Sequence, residues 1–278
     1  MKTFKKISYL LVGIYIYISI MIHKDTIKIK FSLIYLLLFF TNCHNETASK
    51  NQIQIKQSSI VMNASDKKTI EYYRNEIDNA ASLLAKQKNS IDVELNKNEQ
   101  VEIIAIAFPE IIRYNAFSDL IETTSNRLLY INGGKKASDF SIGHFQMKPS
   151  FVEDLEKYVA NSEKLEKYKN IQILNKTEKA TREERVNRLE NFRWQLRYLK
   201  VFWAVMDDKY SQVTFENKKD KLRFYATAYN YGYMRPIQEI LSFQYQKIFP
   251  YGSDKKNALR FADFSIDFCN NYNSLFNH

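Results

Sequence analysis

Three short runs hold residue types that could do chemistry: "VEIIAIAFPE", which ends at Glu110, "SIGHFQM" at residues 141 to 147, and "AYNYG" at 228 to 232. In the first, Ile103, Ile106 and Ala107 fall on the side of a helix opposite Val101, Ile104, Ala105 and Phe108. A helix apolar all round is a buried one. Pro109 has no amide hydrogen, so the chain is expected to kink or stop there and to present Glu110 next. Apolar surroundings raise a carboxyl pKa, and a raised pKa is what a general acid for glycosidic cleavage needs near neutral pH. The plain alternative, that Glu110 meets water or a lysine once the helix has ended, fits the pattern equally well. No cluster of His, Cys and Asp has metal-ligand spacing, so neither a metal nor a cofactor is expected, and His144 reads as a groove or surface residue.

The elements that must position these residues are helical. Apolar periodicity predicts helices at about 69 to 88, 99 to 108, 118 to 130, 150 to 168, 182 to 208, 217 to 230, 234 to 247 and 255 to 270. Ser150 with Glu153, and Thr181 with Glu184, fit the capping box that opens a helix. Val186, Leu189, Phe192, Leu196, Leu199, Trp203 and Met206 make one apolar stripe, marking 182 to 208 as the central core helix. Its other face carries Arg193, Arg197 and Lys200 among Trp194 and Tyr198, a solvated basic face by preference to a single-strand nucleic-acid site. Six glycines and four prolines are too few for the turns of a sandwich or barrel, so the fold class is mostly α.

Residues 1 to 43 come off before the fold begins. They hold two apolar runs, Ile7 to Ile22 and Phe31 to Phe40, each preceded by lysines and each too short to span a bilayer comfortably. The second runs into "LLLFFTNC", which resembles a bacterial lipoprotein signal, with Cys43 lipidated as the first mature residue and Met21 as an alternative start. A membrane-anchoring hairpin is the other reading. Cys269 would then lack a disulfide partner, and the net charge of +10 would drop to +5, a mild bias toward anionic polymers. Residues 44 to 68 read as a polar tether and 69 to 278 as the folded domain.

The acid, then "SIGHFQM", then "AYNYG", follow the order seen in soluble-type lytic murein transglycosylases and goose-type lysozymes, which this chain resembles from about Val101 to Gly232. The resemblance implies a lysozyme-like helical domain with a substrate cleft, and Glu110 as general acid and then base. It implies that Ser141, Gly143 and Gln146 form a turn and polar wall along a sugar groove, with Gly143 letting backbone approach the glycan and Gln146 binding hydroxyl or acetamido groups. Tyr229 would hold its hydroxyl near the acid, and Asn230 with Gly232 would shape the turn that closes the cleft. The stretch from Glu110 to Gln146 is longer than usual in that family, which makes Glu122 a second candidate acid and helix 118 to 130 an inserted lid, with Arg113, Tyr114 and Asp119 at its rim.

The reaction so implied cuts the bond between N-acetylmuramic acid and N-acetylglucosamine in peptidoglycan and leaves a 1,6-anhydro end. A hydrolytic muramidase, with Asp119, Glu122 or Asp139 positioning water, is the close alternative, and a non-catalytic glycan binder of the cell envelope a further one. The partners expected are glycan strands and a membrane reached through lipid on Cys43, in an exported protein that faces the periplasm; nucleic acid is not expected, and a partner within an envelope complex stays open. Were Glu110 clamped as an anion by a cation such as Arg113, the enzymatic reading would fall.

Overall fold

The computed structural model describes residues 53–54, 60–116, 121–175, 177–250 and 256–276. Packing divides the chain into 1–51 and 52–278, and the described residues all belong to the second unit. The leader, Cys43 and most of the tether therefore lie outside them. The described chain is mostly helical, as composition and periodicity require.

Helix α1 (Ala64–Tyr72) begins inside the span read as tether, because Asn63 and Asp66 form a reciprocal capping box. Tyr73 separates it from α2 (Arg74–Lys86), so the single helix expected over 69 to 88 is two. The tether also supplies β1 (Ile53–Gln54), which pairs parallel with β2 (Val213–Thr214). A two-residue strand leaves no periodic signal to read. After α3 (Lys88–Glu94) comes α4 (Gln100–Ala116), which runs unbroken through Pro109. The expected stop at Pro109 is thus corrected. An interior proline costs about 3 kcal/mol, whereas each fully buried Ile or Phe contributes about 1.5 to 3 kcal/mol. Ile103, Ile104, Ile106, Phe108, Ile111 and Ile112 are all at most 1% exposed, so burial outweighs the missing bond.

Helix α5 (Ile121–Gly133) precedes α6 (Pro149–Ala160), whose first helical residue is proline, with Lys148 as the cap. Ser150 is already inside that helix, so it does not act as the predicted cap. The chain continues as a 3-10 run over Glu163–Ile171, where one longer helix was expected. The 182 to 208 helix is likewise two, α7 (Glu178–Glu190) and α8 (Phe192–Lys209), because the Asn191 side chain accepts from Trp194 N and starts a new helix. Thr177, not Thr181, caps α7. The apolar stripe survives the break: Val186, Leu189, Leu196, Leu199 and Met206 are buried, while Phe192 and Trp203 are half-buried. On the other face Arg193 and Arg197 reach Glu94 at 2.7 and 2.6 Å, which offsets part of the basic surface.

Helices α9 (Lys218–Tyr231), α10 (Ile237–Phe243) and α11 (Phe261–Asn271) complete the domain. Helix α4 is the innermost element, packed by α2, α8, α9 and α11. A buried ionic network ties α11 to its neighbours. Asp263, fully buried, accepts from Arg223 at 2.9 Å and from Arg260 at 2.7 Å, and Arg260 also donates to Asp66 at 2.7 Å.

Candidate functional site

The last turns of α4, the turn before α6 and the end of α9 meet around a pocket of about 460 Å³. Glu110, Ser141, Gln146, Tyr229, Asn230 and Gly232 all line it, although they come from segments separated by tens of residues. Gly143 does not. Arg113, Lys148 and Asp154 supply the remaining charge at the walls.

The turn is a short antiparallel bridge in which Ile142 and Met147 exchange both backbone hydrogen bonds, at 3.0 and 3.1 Å. Closing it requires positive φ at Gly143 (+71°) and at Gln146 (+48°). The Gln146 side chain donates back to Gly143 O at 2.8 Å, which keeps a non-glycine residue in that conformation. Tyr229 donates its hydroxyl to Phe145 O at 2.6 Å and pins the turn to α9. At the end of that helix Gly232 takes φ +119°, which stops α9 beside the pocket.

The reason for Gly143 differs from the one expected. A Cβ there would lie 1.5 Å from Gln195 Nε2 and 2.8 Å from Leu189 O, so the close approach is to the protein's own interior and not to a ligand. Gln195, on α8 and fully buried, accepts from Phe145 N at 3.1 Å and donates to Ile142 O at 3.2 Å and to Leu189 O. It is the residue that sequence reasoning missed. Its signal was available, since position 195 falls on the apolar face between Phe192 and Leu199, and a polar residue there must be satisfied by a partner. Gly143→Ala is expected to cost at least about 2 kcal/mol, combining the left-handed strain with displacement of Gln195. Urea unfolding measures it, and a loss within about 0.5 kcal/mol, the size of an ordinary surface change, would refute that explanation.

Glu110 is 4% exposed. Burial pushes its carboxyl from 4.5 to about 7, against the opposing charges of Arg113 and Lys148. Arg113 Nη2 stands 2.6 Å from Glu110 Oε2, a contact that favours the anion. Yet Oε2 accepts no aligned hydrogen bond among the described residues. A charge contact off the N–H axis, from a guanidinium 36% exposed to water, is the weaker influence. Desolvation of a carboxylate inside an apolar helix bundle is the stronger. Burial and the Arg113 contact thus act on Glu110 in opposite directions, and the net shift is upward. The same carboxylate, after burial, contributes to holding the Tyr229 phenol well above its ordinary value.

Other expected participants are placed elsewhere. Asp139 accepts from Ser150 N at 3.0 Å and Ser150 Oγ at 2.7 Å, which makes it the partner of the first turn of α6. Tyr114 packs on His144, ring centroids 5.3 Å apart, and His144 also meets Phe192 edge-on. Burial lowers the His144 pKa. The helix expected as a lid is α5; its C-terminal end docks on α7, where Arg182 donates to Ile131 O at 2.9 Å, and residues 117–120 before it lie outside those described. Asp119 and the Glu122 side chain lie outside what is described. Among the described residues, the carboxylate that lines the pocket besides Glu110 is Asp154. Among the described residues no group of His, Cys, Asp and Glu could hold a metal ion.

Comparison with protein-family models, curated proteins and solved structures returned no match.

Proposed function

We propose that the protein is a peptidoglycan-cleaving lytic transglycosylase of lysozyme-like design, with Glu110 as its single acid and base. The observation that carries this reading is a buried carboxyl, Glu110, at the wall of a pocket that Ser141, Gln146, Tyr229, Asn230 and Gly232 also line, where burial pushes its pKa up. Protonated Glu110 donates to the glycosidic oxygen between N-acetylmuramic acid and N-acetylglucosamine. The substrate's acetamido group supports the resulting cation, and the Glu110 carboxylate then accepts the proton of the muramyl C6 hydroxyl. The acid is restored, a 1,6-anhydro end forms, and no water is consumed. Export and attachment through lipid on Cys43 would put the enzyme beside its polymer.

Mass spectrometry of sacculi digested by the protein tests this, with anhydro ends as the expected product. Ends that have gained water support a hydrolytic muramidase, for which Asp154 is the second carboxylate at the pocket among the described residues. Sacculus binding without cleavage supports a glycan-binding envelope protein. Because the first step needs the proton on Glu110, and its pKa lies above the ordinary value, turnover is expected to fall as pH rises through about 7. A pH profile still rising there would exclude Glu110 as the donor.

A further inference from the structure

Where α9 ends beside the pocket, local bonds account for only part of the turn. Gly232 N donates to Ala228 O at 2.9 Å and Arg235 N to Gly232 O at 3.2 Å. The carbonyl of Tyr233 between them is held from the end of α8, where Lys209 Nζ donates to it at 2.8 Å and Tyr210 Oη at 3.4 Å. The Lys209 ammonium is enclosed on its other sides. It lies 5.7 Å from the centre of the Tyr210 ring and 5.9 Å from that of Tyr233, within cation–π range, and it donates to Met234 Sδ at 3.7 Å. Lys209 is half-buried and forms no ion pair among the described residues, so its charge is committed to that carbonyl. A hydrogen bond from a charged donor is roughly twice as strong as a neutral one, which fixes Tyr233 more firmly than neutral turn groups would. Tyr233 carries the constraint inward. Its ring meets Phe151 and Phe202 edge-on at 5.3 and 5.4 Å, the same two rings on which Tyr229 packs at 5.1 and 5.5 Å. Phe151, Tyr229, Tyr233 and Met234 line the pocket that holds Glu110, and Lys209 stands behind them.

We propose that Lys209 is a positioning residue for this site: by clasping Tyr233 and Met234 from the end of α8, it fixes the wall from Asn230 to Met234 against which a glycan strand is held. The inference rests on the glycan-cleaving reading and adds to it a residue outside the pocket that sets how tightly the strand is bound. Met234 is 52% exposed, yet its sulfur is tied to Lys209, so its side chain belongs to a fixed wall. Glu110 stands on α4 and makes no contact with the clasp, so the two contributions separate. Loss of the clasp weakens the hold on the strand, whereas loss of the acid removes turnover.

Lys209→Met keeps the aliphatic stem and removes the donor, and Lys209→Arg keeps a cation that can donate. In the whole protein Lys209→Met is expected to raise KM for sacculi about tenfold with kcat within about twofold of the parent, and Lys209→Arg to recover most of the loss. Hydrogen exchange supplies a readout that needs no activity: the Gly232 and Arg235 amides are expected to exchange at least about tenfold faster in Lys209→Met, while the Phe145 and Gln146 amides of the opposite wall stay within about twofold. An unchanged KM, a fall in kcat in place of the rise in KM, an arginine variant no better than the methionine one, or unchanged exchange at Gly232 and Arg235 overturns the proposal. Should Lys209→Met fail to fold, Tyr210→Phe removes the other donor to the same carbonyl and is expected to raise KM about threefold, with no change counting against the clasp. If the parent cleaves sacculi and exchange is unaffected, this inference fails and the glycan-cleaving reading stands. If the parent does not cleave, that reading fails, and calorimetric binding of the N-acetylglucosamine tetramer decides the clasp, a loss of about tenfold in Lys209→Met supporting it and equal binding overturning it.

Discussion

On the transglycosylase proposal, Glu110→Gln is expected to lower sacculus cleavage by about a thousandfold, the usual weight of a general acid and base, and at the same time to make the protein more stable above neutral pH. The second effect follows from the first cause. The Glu110 carboxyl titrates at about 7 in the folded protein and at 4.5 when unfolded, so the folded state holds its proton more tightly. Its stabilising share is complete below the unfolded value and is lost as pH rises through the folded one. At about pH 8 the parent carries a buried carboxylate that the glutamine variant lacks, a difference of at most about 3 kcal/mol. At about pH 4 both side chains are neutral and the gap should close. Urea unfolding of parent and variant at the two pH values measures this. A variant no more stable than the parent at the higher pH would mean that Arg113 holds Glu110 as an anion after all, and the acid role would go with it.

Asp263→Ala is expected to destabilise the domain by about 3 to 5 kcal/mol, a large part of the roughly 5 to 15 kcal/mol that holds a domain folded. Asp263 is fully buried and receives both Arg223 and Arg260, whose side chains are 5% and 10% exposed. Removing it leaves two guanidinium groups in a dry interior with one of their acceptors gone, and neither can shed its proton. Arg223 still has Ile60 O at 3.3 Å, and Arg260 still has Asp66, which limits the damage to the range given. Helix α11 packs directly on α4 and α9, the two helices that carry Glu110 and Tyr229. The loss should therefore appear as a lower urea midpoint with an unchanged m-value. An unfolding free energy within about 1 kcal/mol of the parent would show that the network is not the tie between these helices.

Helix, and little else, was legible in this chain because its pattern repeats: Val186, Leu189, Leu196 and Leu199 declare their face whether or not Asn191 breaks the helix between them. Glu110 could be picked out because it follows an apolar helix, whereas Gln146 and Tyr229 were candidates through the order of their motifs, which resembles that of a known family. Where tertiary structure decided, the cause was contact between segments far apart in sequence. Pro109 stays helical because α4 is enclosed by neighbours that no local window includes. Gly143 is glycine because Gln195, from another helix, fills the space where a side chain would go. Asn63 starts a helix, and Ile53 finds a strand partner at Val213, within a span whose composition is that of a linker. The proton inventory of Glu110 is the clearest case, since periodicity foretold an apolar setting but only the folded chain weighs that burial against Arg113, one turn along the same helix, and Lys148, brought in from a distant turn.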